Sequence, residues 1–117
     1  MEMNTSTSGA ANEGLGPFQA LWDAWEESHR EIVNKPLSHF RRVMDIQFDE
    51  IEAHLESSNR RGAECEVIDM ISVAINLMRW LGNGPEGIGE LARSRAEHRM
   101  KNRTASILEK YQSLYGV

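Results

Sequence analysis

The chain has few of the residues that several classes of protein require. Its single cysteine, Cys65, excludes a disulfide within the chain and fits a reducing cytosol. Because Cys65 falls in an apolar stretch, we expect it to pack in the core. The chain has no long run of lysine or arginine, and its formal charge is -5. Duplex nucleic acid is held by basic side chains on phosphates, so we do not expect this protein to bind a duplex. The single cysteine leads us to expect a cytoplasmic protein.

Long hydrophobic runs are also missing. The longest apolar stretch, Val67 to Leu81, is broken by polar residues and is too short to cross a bilayer, so no membrane segment is expected. Residues 1–16 are mostly small or polar and lack the basic and apolar regions of a signal peptide. We predict a disordered tail over 1–16 and one folded domain over 17–117, since 117 residues suit a single domain.

Apolar residues recur with the period of an α-helix, and no alternating strand pattern bounded by turn residues is present. This predicts an all-α fold of four helices, over about 17–33, 36–57, 63–81 and 85–114, with Gly62 separating the second from the third. The apolar stripe that the second helix turns to the core is predicted to be Phe40, Met44, Phe48, Ile51 and Leu55. The third helix is apolar on all sides, which is typical of a buried central helix. We expect a four-helix bundle that is completed by dimerisation, as a homodimer or homotetramer.

Carboxylates on the second and third helices are the strongest chemical signal. Asp69 lies among apolar residues, where a charge carries a desolvation cost that a partner must offset. At about 100° per residue, Glu66, Asp69 and Asn76 share one side of the third helix. The second helix has an acidic stripe, and its last members, Glu52 and Glu56, would approach Glu66 and Asp69 if the two helices pack antiparallel.

Four converging carboxylates require a cation. Hard oxygen ligands without His or Cys favour Mg²⁺, with Mn²⁺ possible, and Mg²⁺ commonly bridges to the phosphates of a substrate. A structural alternative stays open. Glu66 would then be a favourable acid near a helix start, and Asp69 a buried acid neutralised by Arg79, Arg60 or Arg61.

The same residues resemble the motif of the MazG-like nucleoside triphosphate pyrophosphohydrolases. That family has Glu-Glu-x-x-Glu on one helix and Glu-x-x-Asp on the next, and Glu66-Val67-Ile68-Asp69 matches the second part. The run from Ala74 to Gly82 is similar to the family's continuation. For the first part, Glu52-Ala53-His54-Leu55-Glu56 keeps the outer glutamates but has Ala53 in place of the second. Another register would use Asp49 and Glu50 as the acid pair.

A basic segment follows in the fourth predicted helix. The stretch from Arg95 to Arg103 is similar to the Asn-containing basic helix that contributes to nucleotide binding in these enzymes. The resemblance therefore makes Lys101, Asn102 and Arg103 candidate contacts for the substrate, together with Asn76.

The resemblance implies hydrolysis of a nucleoside triphosphate to a monophosphate and pyrophosphate, in the clearance of nucleotides. The implied metal ligands and catalytic residues are Glu52, Glu56, Glu66 and Asp69. A second enzymatic interpretation makes the substrate phosphoribosyl-ATP. A third interpretation is a helical dimerisation or regulatory module without activity, which Ala53 and the short spacing between the acidic motifs favour.

Overall fold

A computed structural model describes residues 14–117, and helices dominate this part of the chain, which contains no β-strand. The all-α prediction is confirmed for these residues. Of the predicted tail over 1–16, residues 1–13 lie outside the described residues. Six α-helices are present in the described part: α1 Gln19–Ala24, α2 His29–Val33, α3 Leu37–Glu56, α4 Arg60–Trp80, α5 Pro85–Arg95 and α6 Thr104–Tyr115. None of them is long and apolar enough to cross a membrane.

Helices α3 and α4 form the antiparallel pair at the centre of the fold. His54 near the end of α3 contacts Glu66 near the start of α4, and at the other end the rings of Phe40 and Trp80 are 5.9 Å apart. Helix α4 also contacts α1 and α2, so it is central, as predicted. It is not buried on all sides, because Val67 and Ile68 are 46 % and 43 % exposed. Gly62 does not separate the two helices, because Asn59 caps α4 three residues earlier by accepting from the Gly62 N–H.

The first predicted helix is divided into α1 and α2, with short 3₁₀ turns at Gly16–Phe18 and Glu26–Ser28. The break follows Trp22, whose carbonyl oxygen accepts a 2.7 Å hydrogen bond from Arg79 Nη2. The same oxygen accepts from the Trp25 N–H, three residues on. A buried guanidinium therefore binds a carbonyl oxygen that would otherwise accept an α-helical hydrogen bond. The backbone forms a tighter 3₁₀ turn there.

The fourth predicted helix is also divided. A π-helical turn, Ala96–Met100, follows α5, and the Lys101 N–H bonds to the Ala96 carbonyl five residues back. Asn102 then adopts a positive φ of 65°, which ends the helical path before α6 begins. The prediction of four helices is therefore corrected to six in the described residues.

The face of α3 that meets the rest of the fold differs from the predicted apolar stripe. Phe40 is 4 % exposed, but Phe48 and Leu55, which were predicted to be in the core, are 53 % and 55 % exposed. The inward face carries Phe40, Val43, Gln47, Glu50 and His54, at steps of three and four residues. It is rotated by about 80° from the predicted stripe, at 100° per residue.

A compact apolar cluster joins the first helical segment to α4 and α5. Trp22, Ile75 and Ile88 are buried there, and Leu15 packs against them. Leu15, which was predicted to lie in the tail over 1–16, therefore packs against the core. Cys65 is exposed, so the expectation that it packs in the core is wrong for this chain.

Candidate active site

Arg79 is the most buried charged side chain in the described structure, at 1 % exposure. Its guanidinium donates to Glu26 at 3.2 Å and to Asn76 Oδ1 at 3.3 Å, and it lies 3.6 Å from the centre of the Trp22 ring. Nη1 also donates to Nδ1 of His29 at 3.1 Å. Arg79 is therefore engaged on the side of the first two helices, away from Asp69.

The other arginines considered as partners of Asp69 are engaged elsewhere. Arg61 pairs with Glu64 at 3.3 Å, and Arg60 pairs with the same carboxylate at 3.9 Å, on the exposed surface at the start of α4. The structural alternative required one of these three guanidinium groups beside Asp69. None of the three neutralises Asp69, which is exposed and not buried as that alternative assumed, so it needs no such partner.

Three carboxyl groups meet between α3 and α4. Glu66 interacts with Glu50 on α3 and with Asp69 one turn along α4, and it raises the pKa of both. Glu50 and Asp69 are exposed, whereas Glu66 is half-buried. Residues three apart on α4 share a side, and Glu50 lies at the solvent edge of the α3 face that meets α4. Glu66 is central to this group, and its side chain is 16 % exposed. We call Glu50, Glu66 and Asp69 the acidic cluster.

The pKa values of two members show that the cluster is short of positive charge. Hydrogen bonding and charge repulsion from Glu66 raise the pKa of Glu50 above its ordinary value. Loss of hydration, followed by repulsion from Glu66, raises the pKa of Asp69. Both shifts mean that the fully ionised cluster is unfavourable, so a proton or a cation is favoured there.

His54 lies at the edge of this group, with its Nε2 3.1 Å from Oε2 of Glu66. It acts to lower the pKa of Glu50, against the larger effect of Glu66. One histidine does not offset three carboxyl groups. Within residues 14–117, no set of three or more His, Cys, Asp or Glu side chains already forms a metal-binding arrangement.

A cleft of about 490 Å³ opens beside the cluster, and Asp69 forms part of its wall. Oε1 of Gln47 is buried in this region and has no hydrogen-bond partner in the described structure. Trp25 lies at the cleft with 40 % of its surface exposed. The cleft therefore combines aromatic, amide and carboxyl groups, and its lining is Trp25, Ser28, Glu31, Ile32, Lys35, His39, Phe40, Val43, Gln47, Asp69, Ser72, Val73 and Asn76.

The predicted ligands from α3 lie elsewhere. Glu52 and Glu56 are exposed. Glu52 lies about 200° around the helix from Glu50, and Glu56 lies about 200° from His54, so both are on the outer face of α3. The structure thus brings Glu66 and Asp69 together with Glu50, and it leaves Glu52 and Glu56 outside the cluster. Of the two registers considered, the one that uses Glu50 agrees with the helix packing.

The predicted substrate contacts are divided in the same way. Asn76 is 4 % exposed and lies in the cleft wall, on the same side of α4 as Asp69. Lys101, Asn102 and Arg103 are exposed residues of the turn before α6, not of a helix, and they are not part of the lining of the cleft. Lys101 pairs with Glu97 at 3.5 Å.

Sequence reasoning missed Gln47 and His54, and it named Glu50 only in the second register. A signal for all three existed, because they continue the series of Phe40 and Val43 at steps of three and four residues along α3. The competing series through Phe48 and Leu55 is more apolar and was chosen for the core.

Comparison with known protein families, with curated proteins and with solved structures finds no match to this chain.

Proposed function

We propose that the chain is a Mg²⁺-dependent nucleoside triphosphate pyrophosphohydrolase of the MazG-like kind, with Glu50, Glu66 and Asp69 at its centre. The observation that carries the proposal is the meeting of these three carboxyl groups at the edge of a cleft with aromatic and amide walls. The Glu-x-x-Asp motif of the family falls on Glu66 and Asp69, the two members that α4 supplies. Glu50 takes the role that was first expected of Glu52 and Glu56.

The donor set fits a hard divalent cation. The raised pKa values of Glu50 and Asp69 reflect repulsion that such a cation would relieve, and carboxylate oxygens are the ligands that Mg²⁺ prefers. Mn²⁺ would bind the same oxygens. When bound, the ion supplies neutralisation of phosphate oxygens and a water of lowered pKa. The residues proposed to hold it are the three members of the acidic cluster.

The cleft supports the nucleoside part of the proposal. Trp25 presents an exposed ring on which a base can stack, a contact worth about 1–3 kcal/mol in proteins that bind single-stranded nucleic acid. Asn76 and Gln47 supply amide groups within the same walls. Because Asp69 belongs to both the cleft and the cluster, a base in the cleft would hold its phosphates beside the carboxyl groups. Proximity of this kind is a main source of rate enhancement.

Phosphoribosyl-ATP is the second candidate substrate, since it offers the same triphosphate-derived linkage to the same carboxyl groups. The inactive helical module is the third candidate. The repulsion of Glu66 on Glu50 and Asp69 supports a bound cation over this third candidate.

We also propose that two copies associate through the outer face of α3, to give a homodimer. Phe48 and Leu55 are more than half exposed on this face, with Glu52 between them along the helix. Helix α6 also has exposed apolar residues, Leu108 and Tyr115. It offers a second surface through which dimers would form a tetramer. Exposed apolar stripes of this size typically mark association surfaces.

The proposal is tested by pyrophosphate release from a panel of canonical and modified nucleoside triphosphates and phosphoribosyl-ATP, with Mg²⁺ and after chelation. The variant is Asp69→Asn, which keeps the size of the side chain. We expect release that requires Mg²⁺ and falls by at least about 100-fold in the variant, as for loss of a group that acts on transition-state charge. Absence of release from every compound would favour the inactive module.

A further inference from the structure

The turn between α3 and α4 fixes the orientation of one amide side chain. Asn59 is the N-cap of α4, and its Oδ1 accepts a 2.9 Å hydrogen bond from the Gly62 N–H. A backbone N–H can only donate, so the atom facing Gly62 must be the oxygen of the amide. The cap therefore decides which way the Asn59 amide points, and its Nδ2 is turned toward His54.

This orientation decides the tautomer of His54. Nδ2 of Asn59 lies 3.2 Å from Nδ1 of His54, and an amide nitrogen donates but does not accept. Nδ1 of the neutral ring must then accept, so its proton lies on Nε2. Nε2 is 3.1 Å from Oε2 of Glu66, and the ring donates to that carboxylate. A single chain of hydrogen bonds runs from the cap of α4 to the centre of the acidic cluster.

Gly62 leaves the space that this chain of hydrogen bonds needs. A Cβ at this position would lie 2.5 Å from Nδ2 of Asn59 and 2.6 Å from Nδ1 of His54. Any side chain there would push the two groups apart. The backbone also joins them, because the Asn59 N–H donates to the His54 carbonyl oxygen at 2.7 Å.

We propose that Asn59 and His54 are positioning residues that hold the carboxylate of Glu66 in place for its role in the acidic cluster. Asn59 sets the tautomer of His54, and His54 binds one oxygen of Glu66, Oε2, and so fixes the orientation of the carboxylate. Groups of this kind, one step removed from a metal, orient the ligand that they touch. The consequence for catalysis rests on the proposed function, whereas the tautomer and the placement of Glu66 do not.

The decisive variant is Asn59→Asp. Aspartate is as good an N-cap as asparagine, so α4 keeps its start, but a carboxylate can only accept from His54. The variant thus draws a proton to Nδ1 and reverses the hydrogen bond between residue 59 and His54, while Nε2 keeps the proton that it donates to Glu66. Asn59→Ser keeps a cap but is too short to reach the ring. Asn34→Asp, in the exposed turn after α2, introduces the same charge and serves as the control.

Nitrogen-15 NMR of the His54 ring is the first measurement. We expect a proton on Nε2 alone in the unaltered protein and in Asn34→Asp, and a proton on Nδ1 in Asn59→Asp. We also expect the carboxylate carbon resonance of Glu66 to move in Asn59→Asp and not in the control. A proton on Nδ1 in the unaltered protein, or a Glu66 resonance that ignores the reversal, would overturn the proposal.

Metal dependence provides the second measurement. The Mg²⁺ concentration for half-maximal pyrophosphate release should rise about 10- to 100-fold in Asn59→Asp, the range typical of such orienting residues. His54→Gln, which retains a donor toward Glu66, should recover most of the activity that His54→Leu loses. Unchanged metal dependence after a demonstrated reversal would contradict the positioning role. If no nucleotide is hydrolysed by the unaltered protein, the proposed function fails, and the two NMR results still decide the placement of Glu66.

Discussion

The guanidinium of Arg79 stacks on the ring of Trp22 and also donates to the carbonyl oxygen of that residue at 2.7 Å. This pair joins α4 to the first helical segment at the back of the cleft. Arg79 in turn donates to Asn76, so the cleft wall depends on a charge that is removed from water. Buried charges of this kind are stable when each donor has a partner.

Replacing Arg79 should therefore destabilise the fold. Arg79→Met leaves the Trp22 carbonyl and the Asn76 amide without their donor, and we expect a loss of about 2–4 kcal/mol in the free energy of unfolding. Urea denaturation followed by circular dichroism measures it. Arg61→Met, on a side chain that is 86 % exposed, is the matched control and should change stability by less than about 0.5 kcal/mol. Equal effects of the two substitutions would show that the network is not stabilising.

The acidic cluster predicts a particular dependence of stability on pH. The pKa values of Glu50 and Asp69 are raised in the fold from ordinary values of 4.5 and 3.8. Below the ordinary values both states hold the protons, and the cluster has no effect. As pH rises through the raised values, the folded state loses protons that it had retained, so the cluster becomes destabilising. Stability contributed by these groups therefore falls with rising pH.

Glu50→Gln removes the part of this dependence that comes from Glu50, while the part from Asp69 remains. We expect the variant to melt at a higher temperature than the unaltered protein at pH 7.5 without metal, and at about the same temperature at pH 4. Saturating Mg²⁺ should raise the melting temperature of the unaltered protein at pH 7.5 and leave the variant nearly unchanged. A variant that is less stable at pH 7.5 would mean that the cluster is not under repulsion.

Trp25 is predicted to bind the base of the substrate. Trp25→Ala removes the exposed ring at the cleft, and the KM for the preferred nucleotide should rise about 5- to 150-fold with little change in kcat, the equivalent of one stacking contact. Phe18→Ala removes a ring of similar exposure, 41 %, that does not line the cleft, and its kinetics should match the unaltered protein. A fall in kcat at constant KM would place Trp25 outside base binding.

Association through the outer face of α3 is tested by changing its apolar residues. Phe48→Glu combined with Leu55→Glu should convert the dimer into a folded monomer in sedimentation velocity runs, because like charges would then face each other across the axis. Leu91→Glu alters an apolar residue of α5 that is 49 % exposed and should leave the assembly intact. If the double variant keeps the mass of the unaltered protein, the interface lies elsewhere.

Helical periodicity predicted the class of the fold, the antiparallel central pair and the shared side of Glu66, Asp69 and Asn76. It did not predict which face of α3 turns inward. Phe48 and Leu55 are as apolar as core residues, and exposed apolar residues cannot be told from core residues by pattern alone. Because of that ambiguity, Glu52 and Glu56 were predicted as the metal ligands in preference to Glu50.

The breaks within the first and last predicted helices have tertiary or local causes that periodicity does not record. Arg79 is 57 residues away from Trp22 in the sequence, and its hydrogen bond alters the helix there. Asn102 adopts its positive φ after a π-helical turn whose sequence is an ordinary helix former. By contrast, the Asn59 cap follows a known preference and could have been recognised from the sequence.

The most direct test of the account compares Glu50→Gln with Glu52→Gln in Mg²⁺-dependent pyrophosphate release. The two residues lie two positions apart on the same helix, and the substitutions are chemically identical, but only Glu50 belongs to the acidic cluster. The account predicts at least about a 100-fold loss of activity for Glu50→Gln and nearly full activity for Glu52→Gln. Loss confined to Glu52→Gln, or equal activity in both variants, would contradict it.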